Sequence, residues 1–341
     1  MILDIFQTII NYGELKSQIR CSQINKHMYE ELYVYSLFAT ESMDQELIEK
    51  KIFGKLKKLD CSCIYKINNV NHLKNTLKIL HCLYDCGVDQ NGISELEYIE
   101  ELNCSYNGNI NNVNHLKNTL KILHCEGHCG VDQNGISELQ YVKILNCSEN
   151  NKINDVNHLK NTLKILCCQH DCRIDQNGIS ELRYVEELNC SCNKNINNVN
   201  HLKNTLKTLH CAMYCGIDQN GISKLQHIEE LNCYSNHKIN DVNHLKDTLA
   251  KLYCDFGCGI NQNGISRLAS LKALDCSGNK KISDVNHLKN TLKILKCDYD
   301  CGIDQNGLSE LLHIEKLSCI DNSKINDVNH LKNTLKILNY A

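Results

Sequence analysis

Residues 77–98 read LKILHCLYDCGVDQNGISELEY, and residues 99–119 read IEELNCSYNGNINNVNHLKNT. Apolar side chains fall at Leu77, Leu80, Cys82, Val88, Ile93 and Leu96 in the first stretch, and at Ile99, Leu102, Cys104, Ile110, Val113 and Leu116 in the second. The alternation over Leu80-His81-Cys82 and Leu102-Asn103-Cys104 is a strand signal, because successive side chains of a strand point to opposite faces. Together the stretches form a 43-residue block, and its string Val-Asn-His-Leu-Lys begins at Val70, Val113, Val156, Val199, Val242, Val285 and Val328. One such unit has too few apolar residues to fold alone, so seven copies without a slip predict a stacked array.

The pattern L-x-x-L-x-(L/C)-x-x-(N/x) resembles the leucine-rich repeat, and the 21-residue half resembles its short variety. The resemblance implies an α/β solenoid with a parallel β-sheet on a concave face, short turns or 3₁₀ segments on the convex face, and a protein partner on the concave side. Strand starts from Leu56 to Leu335 give fourteen units; at ~4.8 Å per paired strand they predict an arc of roughly 60 Å. In IDQNGIS the Asn-Gly pair favours a turn, after which Ile-Ser-x-Leu can form one helical or 3₁₀ turn.

Residues 1–55 lie outside the period. Ile2, Ile5, Phe6, Ile9 and Ile10 fall on one helical face. A second helical stretch follows Gly13, carrying Leu15, Ile19, Ile24 and Met28 toward Leu32 and Leu37, and Ser42 with Gln45 matches a capping box. These spacings predict a small helical domain, 1–55, capping a solenoid over 56–341. Its string ILDIFQTIINYGELKSQIRCSQINKHMYEEL resembles a degenerate F-box, without the Leu-Pro opening and the late Trp. That resemblance implies a substrate receptor of a cullin-type ubiquitin ligase, with Ile5, Phe6, Ile9, Leu15 and Ile19 contacting the adaptor.

The chain has 341 residues, a net charge of -3, 23 Cys and no Pro or Trp. At 42% hydrophobic and 23% charged residues it is neither disordered nor a membrane bundle, and no apolar run reaches the ~18 residues of a spanning helix. The near-neutral charge speaks against nucleic acid as partner, since that affinity rests on clustered Lys and Arg. No Lys or Arg precedes the apolar stretch of the first ten residues, so no secretory signal is read and a cytoplasmic, intracellular place is expected. Near-identical repeats rich in Asn, Ile, Lys and Tyr suggest AT-rich coding and resemble repeat proteins of amoebae and of the giant DNA viruses that infect them.

Nineteen cysteines fall in three rows: Cys61 to Cys319 and Cys82 to Cys297 at the inward strand position, and Cys86 to Cys301 four residues later in alternate coils. Free Cys packs as a small hydrophobe, which predicts packing ladders. A C-x₃-C pair is at most half of a structural zinc site, which needs four ligands, so no metal and no cofactor is expected. Bridges fit the strand spacing, but 23 is odd and an intracellular chain keeps its thiols reduced. Asn107, Asn150, Asn193, Asn236, Asn279 and Asn322 form a structural ladder whose amides bond to the backbone of adjacent coils. His72 to His330 recur once per block, whereas an active site uses its base once, so a structural turn role is expected and no enzyme. Lys78, Lys121, Lys164, Lys207, Lys293 and Lys336 alternate with Glu100, Lys143, Glu186, Glu229, Lys272 and Glu315, so most have an opposite charge next door, which reads as a mixed-charge solvated row.

Most positions barely change among the copies, whereas those just after the inward Cys vary freely: Leu83-Tyr84-Asp85, Glu126-Gly127-His128, Gln169-His170-Asp171, Ala212-Met213-Tyr214. The candidate partner-binding residues there and on the neighbouring strand ends are Tyr84, Tyr106, His128, His170, Tyr214, Tyr234, Tyr253, Phe256 and Tyr299. Exposed aromatics among acids suit protein contact, and drift at unconstrained positions produces the same variation. A metal- or redox-responsive role for the cysteine rows is the alternative function. The last strand, Leu335 to Asn339, has no polar cap after it, which predicts self-association or cover by a partner.

Overall fold

The structure, a computed structural model, describes Gln7 and residues 31–340. The chain forms two compact units, Met1–Leu163 and Lys164–Ala341. Each is a stack of coils that contribute one three-residue strand apiece. The first unit holds β1 (Ser36–Phe38), β2 (Lys58–Asp60) and four further strands ending at β6 (Ile144–Asn146). The second holds nine, from β7 (Ile165–Cys167) to β15 (Ile337–Asn339). Within each unit the strands pair in chain order and in parallel, with leucine opposite leucine: Leu59 with Leu80 and Leu80 with Leu102 in the first, Leu188 with Leu209 and Leu209 with Leu231 in the second. These leucines are buried, while their neighbours on each strand stand partly exposed on the other face of the sheet.

Coils of 21 and 22 residues alternate without shifting this register. The additional residue lies on the return side: Val88 and Ile110 both follow their inward Cys by six positions, whereas Ile93 follows Val88 by five and Val113 follows Ile110 by three, of which one residue is recovered before the next strand. All three cysteine rows are buried, as expected of packing ladders, and Cys63, Cys167 and Cys192, which lie outside the rows, are exposed or half-buried. Cys21 lies outside the described residues.

The return side departs from the expected turn. In DQNGIS the helical turn begins earlier than expected, at Gln90–Ile93, with the Asp89 carboxylate accepting from the Gly92 N–H at 2.8 Å. Gly92 is required by proximity, since a Cβ there would lie 2.1 Å from the Asn68 carbonyl oxygen. The alternate coils return through Asn-His-Leu 3₁₀ turns such as Asn114–Leu116. In one such turn His115 Nε2 donates to the Ile93 carbonyl of the preceding coil at 3.0 Å, the structural role expected for the histidine row.

Burial holds His72, His115, His158, His201 and His244 below the ordinary histidine pKa, against the opposing pull of a backbone carbonyl. The unfolded chain then binds protons more readily, so their contribution to stability is complete above pH ~6.5 and is lost as the pH falls below it. The urea midpoint is therefore expected to drop between pH 7.5 and 5.5. Replacing His115 and His158 with Gln should flatten that dependence, and an unchanged slope would contradict the assignment.

Three expectations for residues 1–55 are corrected. The segment contains β1, paired with β2, so the described residues form fifteen strands, six in the first unit and nine in the second, rather than fourteen, and Leu37 is a strand residue rather than a helical one. Ile64, at the position that asparagine holds in the later coils, is buried with a coil on either side. The one-turn helix Gln45–Ile48 is capped by Asp44, whose carboxylate accepts from the Leu47 N–H at 2.9 Å, while Ser42 Oγ contacts Thr40 Oγ1. Ile5, Phe6, Ile9, Leu15 and Ile19, with the helices expected around them, lie outside the described residues.

Candidate partner-binding rim

Two positions beyond each inward Cys, the backbone turns left-handed. In the first unit Cys63, Tyr84, Tyr106, Gly127 and Glu149 have φ between 56° and 63°. In the second the same row includes His170, Met213, Phe256, Gly278 and Tyr299. A non-glycine residue in this region costs roughly 1–2 kcal/mol. The conformation is held by hydrogen bonds that continue the ladder past the strands: the N–H of Tyr84 donates to Ser105 O at 3.0 Å, that of Tyr106 to Glu126 O at 2.9 Å, and that of Phe256 to Ser277 O at 2.9 Å.

The loops of the 22-residue coils are also pinned at their base. Asn107 Nδ2 donates to Cys82 O and Val88 O, both at 3.0 Å, and so brackets residues 83–87. Asn236 does the same for residues 212–216 through Cys211 O and Ile217 O, and Asn279 for 255–259 through Cys254 O and Ile260 O. Each Oδ1 accepts from an N–H two residues on in its own coil, as from Asn109 to Asn107 at 3.0 Å. All six ladder asparagines are buried. The loops that vary most in sequence thus have a fixed backbone.

Two clusters of rings stand on this rim. In the first unit Tyr84 and Tyr106 stack at 5.2 Å and 13°, and Tyr106 Oη donates to Glu149 Oε2 at 3.3 Å. The Tyr106 ring reaches Glu149 by lying over Gly127, where a Cβ would come within 2.2 Å of it. In the second unit Phe256 meets Tyr234 edge-on at 6.0 Å and Tyr299 at 5.4 Å, crossing Gly278 in the same way. Beside them, burial and the neighbouring Asp275 carboxylate push Asp255 up to about 6. Of the other candidates, His128 and Tyr214 are exposed one residue past the row. His170 is exposed within the row, and Tyr253 lies on the sheet face of the strand Lys251–Tyr253.

Some features have no counterpart in the sequence reading. Tyr98 and Tyr141 form a further exposed aromatic row, where the chain approaches the strands. Their signal was available, since each follows a Ser-Glu-Leu and they are one 43-residue period apart. The charged row resolves into carboxylates held between two lysines: Glu100 lies 2.7 Å from Lys78 and 2.6 Å from Lys121, which hold its carboxyl down at about 2. Shallow hollows beside this row repeat with the sequence. One of about 550 Å³ is lined by Asn204, Thr205, Lys207, His227 and Glu229, and one of about 430 Å³ by Asn290, Thr291, Lys293, His313 and Glu315, 86 residues further on. A hollow generated by the period does not single out a reaction centre. Among the described residues no three His, Cys, Asp or Glu side chains converge as a metal site. No helix among them is long and apolar enough to cross a membrane.

An internalin of Listeria monocytogenes, InlF, superposes on this arrangement with a TM-score of 0.51 at 19% identity, over 73% of this chain and 83% of the internalin. The fold is that of a leucine-rich-repeat solenoid. Two further leucine-rich-repeat structures superpose with lower scores. Rad7, from the yeast Rad7–Elc1 complex, gives 0.49 at 15% identity over 78% of this chain and 82% of that one. The functional domain of Listeria monocytogenes InlJ, which includes a cysteine ladder, gives 0.47 at 18% identity over 87% and 71%. No protein-family model and no curated protein matches the sequence.

Proposed function

We propose that this leucine-rich-repeat chain is a non-catalytic scaffold that binds a protein partner along its loop rim and the adjoining sheet face. The observation that carries the reading is the contrast within each coil: invariant Asn, Gly and Leu positions fix the backbone, while the pinned left-handed positions carry varied, exposed side chains that include two ring clusters. Exposed rings on a rigid frame lose little entropy on binding and bury a large area, the properties of contact hot spots. Residues 1–35, by their F-box resemblance, would dock a ubiquitin-ligase adaptor, which makes the rim the element that chooses the ligase substrate. A cytoplasmic place belongs to the same reading.

Two measurements test it. Phe256→Ala with Tyr299→Ala is expected to abolish capture of the partner that co-purifies with the full chain, while global stability changes by about 1 kcal/mol or less, the worth of an exposed ring pair. Undiminished capture removes the rim from the reading. Deleting residues 1–30, which leaves β1 in place, should remove the adaptor and leave the rim-bound partner. A full-length chain that captures no adaptor removes the ligase role and leaves the scaffold.

A further inference from the structure

The buried thiols are not evenly spaced. Within the two units, five pairs separated by 25 residues bring their sulfurs into contact: Cys61 and Cys86 at 3.6 Å, Cys104 and Cys129 at 3.7 Å, Cys190 and Cys215 at 3.7 Å, Cys233 and Cys258 at 3.5 Å, and Cys276 and Cys301 at 3.7 Å. In every pair the first residue directly follows a strand of one coil and the second lies in the pinned loop of the next. We propose that these pairs are oxidation sites, each a dithiol placed to close into a disulfide between successive coils and so to lock covalently the base of the loop that carries the rim side chains.

The pairs are chemically asymmetric. Cys129 accepts a hydrogen bond from the Cys104 thiol and another from the Val131 N–H, and Lys152, whose Nζ lies 3.0 Å from the Cys129 carbonyl, adds positive charge; together these hold Cys129 below the ordinary thiol pKa despite its burial. Donating that bond, with burial, pushes Cys104 well up. Cys258 and Cys301 stand in the same relation to Cys233 and Cys276, with Lys281 and Lys324 alongside. One sulfur of each pair is thus the nucleophile, and its partner the proton-bearing thiol that resolves the product.

With hydrogen peroxide as oxidant, the Cys129 thiolate attacks one peroxide oxygen. The O–O bond breaks, water leaves after taking up a proton, and Cys129 becomes a sulfenic acid. Cys104 sulfur then attacks the Cys129 sulfur, the S–O bond breaks and a second water leaves with the Cys104 proton. The balance is two thiols and one peroxide to one disulfide and two waters. Forming an S–S bond of ~2.05 Å requires the sulfurs to approach by roughly 1.5 Å. Loops 83–87, 255–259 and 298–302 hold Cys86, Cys258 and Cys301 beside Tyr84, Phe256 and Tyr299, so closure stiffens the same segments that present the rings.

The test uses the full chain with Cys63→Ser, Cys167→Ser and Cys192→Ser, which removes the accessible competitors among the described residues. It is treated with hydrogen peroxide, quenched, alkylated in denaturant and mapped by mass spectrometry. The expected result is disulfides joining residues 25 apart, each with the loss of two hydrogens, and a urea midpoint that rises and returns with dithiothreitol. Thiols that remain alkylatable, oxygen addition to sulfinic or sulfonic acids in their place, or scrambled connectivity would overturn the proposal. A Cys233→Ala chain provides the second reading: Cys258 should be trapped as a sulfenic acid by dimedone while the other four bridges form. An unreactive Cys258, or loss of all the bridges, counts against it.

Discussion

Asn236→Leu is expected to destabilise the second unit by about 2–6 kcal/mol, because the Cys211 and Ile217 carbonyls lose the amide that donates to both and each unsatisfied group costs about 1–3 kcal/mol. Asn236 is almost completely buried, and its Nδ2 reaches Cys211 O at 2.9 Å and Ile217 O at 3.1 Å. Leucine has the same heavy-atom count and branching, so the donor is removed without opening a cavity. In a stack of coils the damage stays near its source. Amide exchange should therefore accelerate first in residues 212–216, the loop that the amide brackets, while strands several coils away keep their protection. Asn236→Asp should be at least as damaging, since it presents oxygen to oxygen where the amide donated.

Gly221→Ala reverses a familiar expectation. Gly221 lies in the one-turn helix Gln219–Ile222, where propensity alone makes alanine the better residue by about 1 kcal/mol. A Cβ there would sit 2.1 Å from the carbonyl oxygen of Asn197, which belongs to the backbone of the preceding coil. Neither coil can yield without opening the stack, so a loss of about 3 kcal/mol or more is expected, at the upper end of overpacking penalties. Gly257→Ala separates this cause from backbone strain. Its Cβ meets nothing within 4 Å, but φ is +58°, so the expected loss is only about 1–2 kcal/mol. Equal effects in the two variants, measured by urea denaturation, would show that proximity is not what selects glycine at 221.

These two positions also mark what could be read from the residues alone. The strands, the buried leucines and the cysteine rows follow from periodicity, because burial on one face writes itself into sequence spacing. Asn236 could be identified as a ladder residue because a polar side chain at an inward position must find backbone partners. The spacing did not say that those partners flank one loop of the preceding coil. Gly221 was read as a turn glycine, whereas its φ is ordinary and the constraint is the distance to Asn197, a contact between residues 24 apart. β1 escaped because Ser36–Phe38 carries no copy of the repeat; its three residues pair with β2, with Leu37 as the one leucine in register with Leu59. The rim fared in between. Variation marked Tyr84, Phe256 and Tyr299, but the left-handed backbone and the glycines beneath the rings belong to three dimensions.

The central claim, that a fixed repeat frame presents its varied loop rim to a protein partner, is tested most directly by a photoreactive side chain placed in turn at 256, 299 and 224 of the full chain. Lys224 is exposed on the return side, just past the one-turn helix. The account predicts one and the same adduct from positions 256 and 299, suppressed by excess unlabelled chain, and none from 224. An adduct of equal yield from 224, or a bound partner that neither rim position captures, would contradict it.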